Sequence, residues 1–550
     1  MEDKPQPAHP HIASFLEHRA KDYPDDLAVA FPTNKRCQGK RIYKQLTNQE
    51  LFCETKKLCL ALTCAGIEKG DRIALMVKPS LEFFSLTFAL FSIGAIPVLI
   101  DPAIGRNHMK SCLKQAKPSG FIGIPKAHIA RLLLGWGHRS FKHLICVGGP
   151  FSFGGKTIAK LKKNLPQNVV FKEPSAKDEA AILFTSGSTG TPKGALYRHE
   201  NFLAQIRAFK ATYNIKGGEK DLCTFPLFAL FAPALGMAAI IPKMDFTRPG
   251  KVKPKNIFEP IEQFGISNLF GSPALLKRLA PTIKRNRMHL PSLNRIVSAG
   301  APVPYPVIAE LVAAIPPAAD LFTPYGATES LPVTSIGAKE ILGETVARTK
   351  NGDGICVGKP VAELSLRIIK ISDVPIVNQA DLTALGPEEV GEILVSGPQV
   401  TTSYFNNSKA TRMAKIKDGD GKVWHRMGDV GFLDTEGRLW FCGRKSHRIR
   451  TKEGDLFTIP VESIINEHPK VKRSALVGVG RKGQETPLLW VEAKKGSPKL
   501  QQEILDVCRE NRRTKSIENI LFCASFPVDI RHNSKIRREK LKQEAEKTWP

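Results

Sequence analysis

At 550 residues the chain is too long for one hydrophobic core, and with 42% hydrophobic and 24% charged residues its composition is that of an ordinary globular protein. A formal charge of +29 and a pI near 9.7 suit anionic substrates, an acidic membrane surface or nucleic acid. Lysine and arginine are spread along the sequence with neither a dominant basic block nor interleaved aromatics, which argues against dedicated nucleic-acid binding and leaves a solvated basic surface as the plainer reading.

The eleven cysteines are scattered and include no C-x-x-C pair, the pattern of free thiols in a reducing compartment rather than of a zinc site. The opening M-E-D-K-P-Q-P lacks the basic-then-apolar form of a signal peptide, so a cytoplasmic location is expected. A short helical pattern around Ile12 to Arg19 is followed by helical spacing from Leu51 to Gly66, then a turn at Gly70-Asp71-Arg72 into a strand at Ile73 to Val77. The 18 residues from Phe83 to Ile100 form the longest apolar run, at the lower limit of a membrane span. Gly94 and Pro97 interrupt it, so a buried helix running into a buried strand is predicted, ended by Asp101-Pro102. Further strands at Phe121 to Ile124 and Leu144 to Val147 complete an alternation that reads as layered α/β structure around a mostly parallel sheet.

The apolar run Ala180 to Phe184 then leads into T-S-G-S-T-G-T-P-K-G, Thr185 to Gly194. Backbone N–H groups of such a loop can crowd around phosphate oxygens, the hydroxyls of Thr185, Ser186, Ser188 and Thr189 add bonds, Gly187 and Gly190 allow close approach, and Lys193 adds charge. A flexible linker would not follow a buried strand directly or place Pro192 and Lys193 before a new strand-like run, Ala195 to Tyr197. A Walker loop needs Ser or Thr after its lysine, and here Gly194 follows Lys193. The residues up to Thr212 read as a helix with Asn201 as its N-cap. Thr224 to Pro242 is aromatic-rich and uncharged, either plain core or the wall of an apolar substrate site. Three strand-and-loop units follow, at Asn268 to Pro273, Arg295 to Pro302 and Leu321 to Glu329. A smaller antiparallel or barrel-like part is expected around Glu389 to Ser396 and Trp440, with a last boundary near Gly443 and a small α+β unit beyond it.

Together T-S-G-S-T-G-T-P-K-G, Y-G-A-T-E (Tyr325 to Glu329), G-D-V-G (Gly428 to Gly431), G-R-K-S-H-R-I (Gly443 to Ile449) and N-S-K-I (Asn533 to Ile536) resemble the adenylate-forming superfamily of acyl-CoA synthetases, luciferases and peptide-synthetase adenylation domains. A narrower resemblance, carried by T-F-P-L-F-A-L-F-A-P-A-L-G, L-F-G-S-P-A-L, H-R-M-G-D-V-G-F and F-P-V-D-I-R-H-N-S-K-I-R-R-E-K-L, is to the β-lactone synthetases of bacterial olefin biosynthesis. The resemblance implies a large α/β N-terminal domain over residues 1–442, with layered subdomains and a small barrel-like β part, and a small mobile α+β domain over 443–550. It also implies ATP and magnesium as cofactors and a long-chain acid as substrate. The loop from Thr185 to Lys193 would take the β- and γ-phosphates, Glu329 the magnesium ion and Thr328 the α-phosphate. Tyr325 with Gly326 would meet adenine beside Gly300, Ala301 and Pro302, while Asp429 would meet the ribose and Arg444 the ribose or a phosphate. Lys535 would bridge substrate carboxylate and α-phosphate, and Ser446 would be the hinge.

The sequence departs from the pattern in places. Fatty-acid relatives often read P-L-F-H where Pro226-Leu227-Phe228 is here followed by Ala229, so room for a second alkyl branch is expected near Phe228, Ala229 and Phe231. The glycine loop after the hinge motif arrives one residue late, at Gly454, and the usual S-G-K reads Asn533-Ser534-Lys535. That weakens the case for CoA and favours a 2-alkyl-3-hydroxy acid whose own hydroxyl closes a β-lactone. A long-chain fatty acyl-CoA ligase is the alternative, and a basic ATP-binding protein without ligase chemistry a remote one. His199, His425 and His532 are the histidines considered as bases for ring closure, and none is assigned. No nucleic-acid partner is expected. Peripheral contact with acidic lipid and assembly with other olefin-pathway enzymes both stay open.

Overall fold

A computed structural model of the protein describes residues 9–101, 104–136, 141–166, 171–185, 192–377, 379–493, 495–528 and 536–548. The apolar run that began at Phe83 is a helix, Leu81–Ser92, followed by a strand, Ile96–Ile100, as its glycine and proline predict. Ser80 caps the helix by accepting the Phe83 N–H at 3.3 Å. All residues from Phe83 to Phe91 are buried, so this helix has no polar face and must lie between layers. Among the described residues no helix is long and apolar enough to cross a membrane.

The layers are two sheets. Among the described residues the first has eight strands, in the order Ser403–Tyr404, Lys193–Arg198, Glu179–Thr185, Ile96–Ile100, Arg72–Met76, Gly120–Gly123, His143–Cys146 and Lys156–Thr157. Its strands run parallel from Glu179–Thr185 to the Lys156 edge, and the two at the other edge are antiparallel. Among the described residues the second sheet has fourteen strands. Its parallel part runs through Ala238–Ile240, Lys220–Cys223, Asn268–Phe270, Arg295–Val297 and Asp320–Ala327. From Ser330–Gly337 onward it is antiparallel, through Ile355–Pro360, Leu439–Arg444, Val423–Leu433, Gly391–Ser396 and Ser365–Ile369. The largest core cluster takes Ala180, Ala195 and Tyr197 from the first sheet and Val29, Cys223 and Val297 from the second, with Phe84 and Phe88 between them. Each such buried aromatic contributes roughly 1.5–3 kcal/mol.

The helix after the strand Lys193–Arg198, His199–Tyr213, is capped differently from the expectation. Its N-cap is Arg198, and Asn201 sits inside the first turn, where its Oδ1 accepts the Arg198 N–H at 2.9 Å. Asn201 thus makes the return half of a capping arrangement, and its amide also donates to the Pro398 carbonyl at 2.9 Å.

Beyond Arg444 the chain builds a three-stranded sheet of Arg473–Val479, Thr486–Glu492 and Asn519–Cys523. Alternation along its strands sends Leu476, Leu489 and Val491 to one face, under the helices Thr458–Ile465 and Pro498–Glu510. Val477, Val479 and Trp490 go to the other, under the helix Arg538–Thr548. Gly443 and Arg444 remain paired in the large sheet, to Val430 and Asp429. The tail meets the large sheet's elements through ion pairs, Arg513 with Asp353 at 2.7 Å and Lys350 with Glu467 at 2.8 Å.

Candidate active site

The strands on either side of the T-S-G-S-T-G-T-P-K-G stretch are the arms of a hairpin. Strands Glu179–Thr185 and Lys193–Arg198 pair antiparallel with Thr185 opposite Lys193 and Phe184 opposite Gly194. Gly194 is required there, because a Cβ would lie 2.8 Å from Phe184 Cζ and 2.9 Å from Ile182 Cγ2. Ser186, Gly187, Ser188, Thr189 and Gly190, the Thr185 side chain, and Lys535 lie outside the described residues. Lys193 is described, and its ammonium lies 5.5 Å from the centre of the Tyr404 ring.

Tyr404 connects the hairpin to Glu329. Its strand adds to the hairpin edge, with Tyr404 opposite Ala195, and its hydroxyl donates to Glu329 Oε1 at 2.5 Å. Burial and then the Glu329 charge push the phenol well above its ordinary pKa, so the proton stays on tyrosine. The Glu329 carbonyl accepts the Thr401 N–H at 2.9 Å and its hydroxyl at 3.2 Å. Thr401 is held in turn by Lys415, which donates to its carbonyl and, at 3.2 Å, to its Oγ1. Tyr197 donates to the carbonyl of Thr328 from the other side. Glu329 is therefore fixed through both its backbone and its carboxylate, while among the described residues Oε2 has no hydrogen-bond partner. One carboxylate oxygen open to a cation, with phosphate oxygens to complete the shell, is the donor set magnesium accepts, so the residues present fit it.

Tyr325 precedes Glu329 on the same hairpin, and its hydroxyl donates to Asp429 Oδ2 at 2.7 Å. Arg444, the register partner of Asp429, reaches Oδ1 at 2.9 Å. The Asp429 charge raises the arginine pKa, and burial followed by that same charge raises the tyrosine's well above its ordinary value. Gly326 lets this hairpin turn tightly, since a Cβ would come within 2.6 Å of the Ser330 carbonyl. Gly300, Ala301 and Pro302 follow the strand Arg295–Val297, the parallel neighbour of the Tyr325 strand. Lys193, Tyr404, Glu329, Tyr325, Asp429 and Arg444 thus form one constellation.

Ala229 is buried, and Phe228 and Phe231 are partly buried against the main core, Phe228 stacking on Phe270 at 4.1 Å. Ser446 is exposed in a short turn, Lys445–His447. His425 is buried, bonded through Nδ1 to the Ala414 carbonyl at 3.2 Å, and kept far below the ordinary imidazole pKa by burial and then by Lys415. His199 is buried, with neither ring nitrogen bonded among the described residues, and burial lowers its pKa to about 3. His532 lies outside the described residues. Sequence reading missed Tyr404, Thr401, Lys415 and Tyr197, whose roles arise from contacts across 14 to 131 positions.

Residues 16–405 match the signature of the AMP-binding enzyme family. The chain belongs to that family. Among curated AMP-binding relatives it is 45% identical to an olefin beta-lactone synthetase of Xanthomonas campestris pv. campestris over 542 residues, 96% of both chains, and 44% identical to one of Stenotrophomonas maltophilia over 541. A 2-succinylbenzoate–CoA ligase of Bacillus cereus is 25% identical over 543 residues, 97% of this chain and 98% of the ligase. Among solved structures, the amide bond synthetase McbA of Marinactinospora thermotolerans superposes with TM-score 0.78 at 22% identity, covering 97% of this chain and 99% of that one. The fold of this AMP-binding enzyme is therefore that of the adenylate-forming enzymes, and the chain is an ATP-dependent adenylate-forming ligase.

Proposed function

We propose that the enzyme activates a long-chain 2-alkyl-3-hydroxy acid with ATP and closes the acyl-adenylate to a β-lactone. The observation that carries the nucleotide side of this reading is the Tyr325–Asp429–Arg444 contact lying beside the fixed Glu329. In the first step a carboxylate oxygen of the acid bonds to the α-phosphorus and pyrophosphate leaves. Two anions meet there, so oriented cations and dipoles do most of the work. In this reading the loop from Thr185 to Lys193 receives the outer phosphates, Asp429 accepts the ribose hydroxyls, Tyr325 lies against adenine, and Lys535 in the tail, residues 443–550, swings in about Ser446. Magnesium, held by Glu329, would neutralise phosphate oxygens when bound. The chain's own part is to keep that carboxylate aimed, through Tyr404 and Thr401.

In the second step the 3-hydroxyl oxygen bonds to the acyl carbon, its proton is lost, and AMP leaves. No outside nucleophile is consumed. A strained four-membered ring gains less from proximity than a larger one, so the site must hold the hydroxyl in place and exclude water. The two relatives at 44% and 45% identity over nearly the whole chain support this product, as does the displaced glycine at Gly454. The test is product analysis with ATP, magnesium and a 2-alkyl-3-hydroxy acid, with and without CoA. Lactone, AMP and pyrophosphate in equal amounts regardless of CoA are expected. A thioester that forms only with CoA would replace this reading by that of an acyl-CoA ligase.

A further inference from the structure

The helix Pro125–Leu133 is inverted relative to an ordinary surface helix. His128 and Arg131 face inward and are buried, His128 bonding the Ile145 carbonyl at 3.0 Å and Arg131 the Phe153 carbonyl at 3.1 Å. The outward face carries Ile129, Leu132 and Leu133, at 45%, 50% and 79% exposure, and Leu134 continues it. The loop after the strand His143–Cys146 folds back along this helix, with Phe153 stacked on His128 at 5.6 Å, and presents Phe151 at 68% exposure 6.3 Å from Phe153. Among the described residues nothing covers these side chains, and a cluster of this size marks an interaction surface.

The charge around it is one-sided. The 71 residues from 102 to 172 hold thirteen lysines and arginines and no aspartate or glutamate. The lysines and arginines are spread here much as elsewhere in the chain, and what sets the stretch apart is the missing acids. The helix Arg106–Ala116 belongs to the same unit, because its Met109 and Leu113 share a core cluster with Phe121 and Trp136. Lys110, Lys114 and Lys126 are exposed.

We propose that this face, the outer side of the helix Pro125–Leu133 with Phe151, docks the enzyme on an anionic lipid bilayer. Aliphatic tips inserted at headgroup depth inside a rim of lysines are what a negatively charged leaflet takes up. A second copy of the chain would bring like charges face to face. A protein partner normally presents mixed charges, and nucleic acid would call for stacking aromatics rather than leucines. The helix Pro125–Leu133 follows the strand Gly120–Gly123, which two strands separate from Glu179–Thr185 in the first sheet, and none of Ile129, Leu132, Leu133 or Phe151 belongs to the nucleotide constellation, so the test does not depend on which acid is activated.

The test is sedimentation of the full chain with vesicles of phosphatidylcholine alone or with about a third phosphatidylglycerol. Binding is expected only to the anionic vesicles and should fall as salt shortens the screening length from about 10 Å at 0.1 M to about 3 Å at 1 M. Leu132→Ser with Leu133→Ser should lower the partition coefficient at least tenfold, and Phe151→Ser, on an independent loop, should lower it severalfold. Both variants should keep wild-type ATP–pyrophosphate exchange, measured without vesicles. Equal partitioning of variants and wild type, failure to bind anionic vesicles, or a dimer in plain buffer that the leucine variant abolishes would each overturn the proposal.

Discussion

Replacing Lys415 by methionine should stabilise the protein near neutral pH and remove a slope from its stability against pH. Lys415 is buried beside Thr401, and burial lowers its pKa from 10.5 to about 7, the Glu329 charge pulling partly the other way. The unfolded chain keeps this proton up to about pH 10.4. Between pH 7 and 10 the unfolded state therefore binds more protons than the folded state, and stability rises with pH. Burying the charge costs about 4 kcal/mol at pH 7, of which about 2 kcal/mol is recovered by pH 9. Methionine occupies a similar volume without the charge, so the variant should be the more stable protein at pH 7. Urea unfolding followed by tryptophan fluorescence reads this, because Trp424 and Trp440 are buried in the same antiparallel strands and Trp424 is the register partner of Ile416. The gap between variant and wild type should shrink by about 2 kcal/mol from pH 7 to pH 9. A gap that stays constant would refute the argument from burial.

Asp429→Asn should raise the KM for ATP about a hundredfold in pyrophosphate exchange, since two charge-assisted bonds to the ribose are worth about 3 kcal/mol together; a KM within threefold of wild type would count against the ribose role. Lys535→Ala should slow adenylation roughly a hundred- to a thousandfold, because a charge near 4 Å from phosphate contributes on the order of 4 kcal/mol; unchanged exchange would remove Lys535 from the reaction. His199 and His11, with pKa values lowered to about 3 and about 4, must stay neutral to stay buried. Their stability contribution is complete above about pH 6.5 and is lost as pH falls, by about 2 kcal/mol each at pH 5. His199→Phe should flatten acid unfolding between pH 6.5 and 4, and an unchanged acid midpoint would contradict this.

The strands and glycine-bearing turns of the site were legible because each is a local pattern: an apolar run into the hairpin at Thr185, and Tyr325 to Glu329 at a strand end. The supports of Glu329 were not, because Tyr404 and Lys415 are distant in sequence and unremarkable where they stand. A lysine at 415 reads as surface until the neighbouring strands enclose it. Asn201 looked like an N-cap because asparagine favours that position, but its side chain serves Arg198 instead. The acid-free stretch from 102 to 172 was in plain view, yet its meaning required knowing that the helix Pro125–Leu133 turns its leucines outward.

Lys445 follows Arg444 directly, and its ammonium is bonded at 2.8 Å both to the buried Glu392 and to the Ser372 carbonyl. Glu392 also binds Arg426 at 2.7 Å, so the peg is seated in a paired socket. The backbone thus leaves the big sheet from a nailed-down post, and in the proposed reading, in which the tail turns about Ser446, rotation would begin at residue 446. On that proposal Arg444 would keep hold of Asp429 while everything downstream turned, so the arm would travel without loosening the grip at its root.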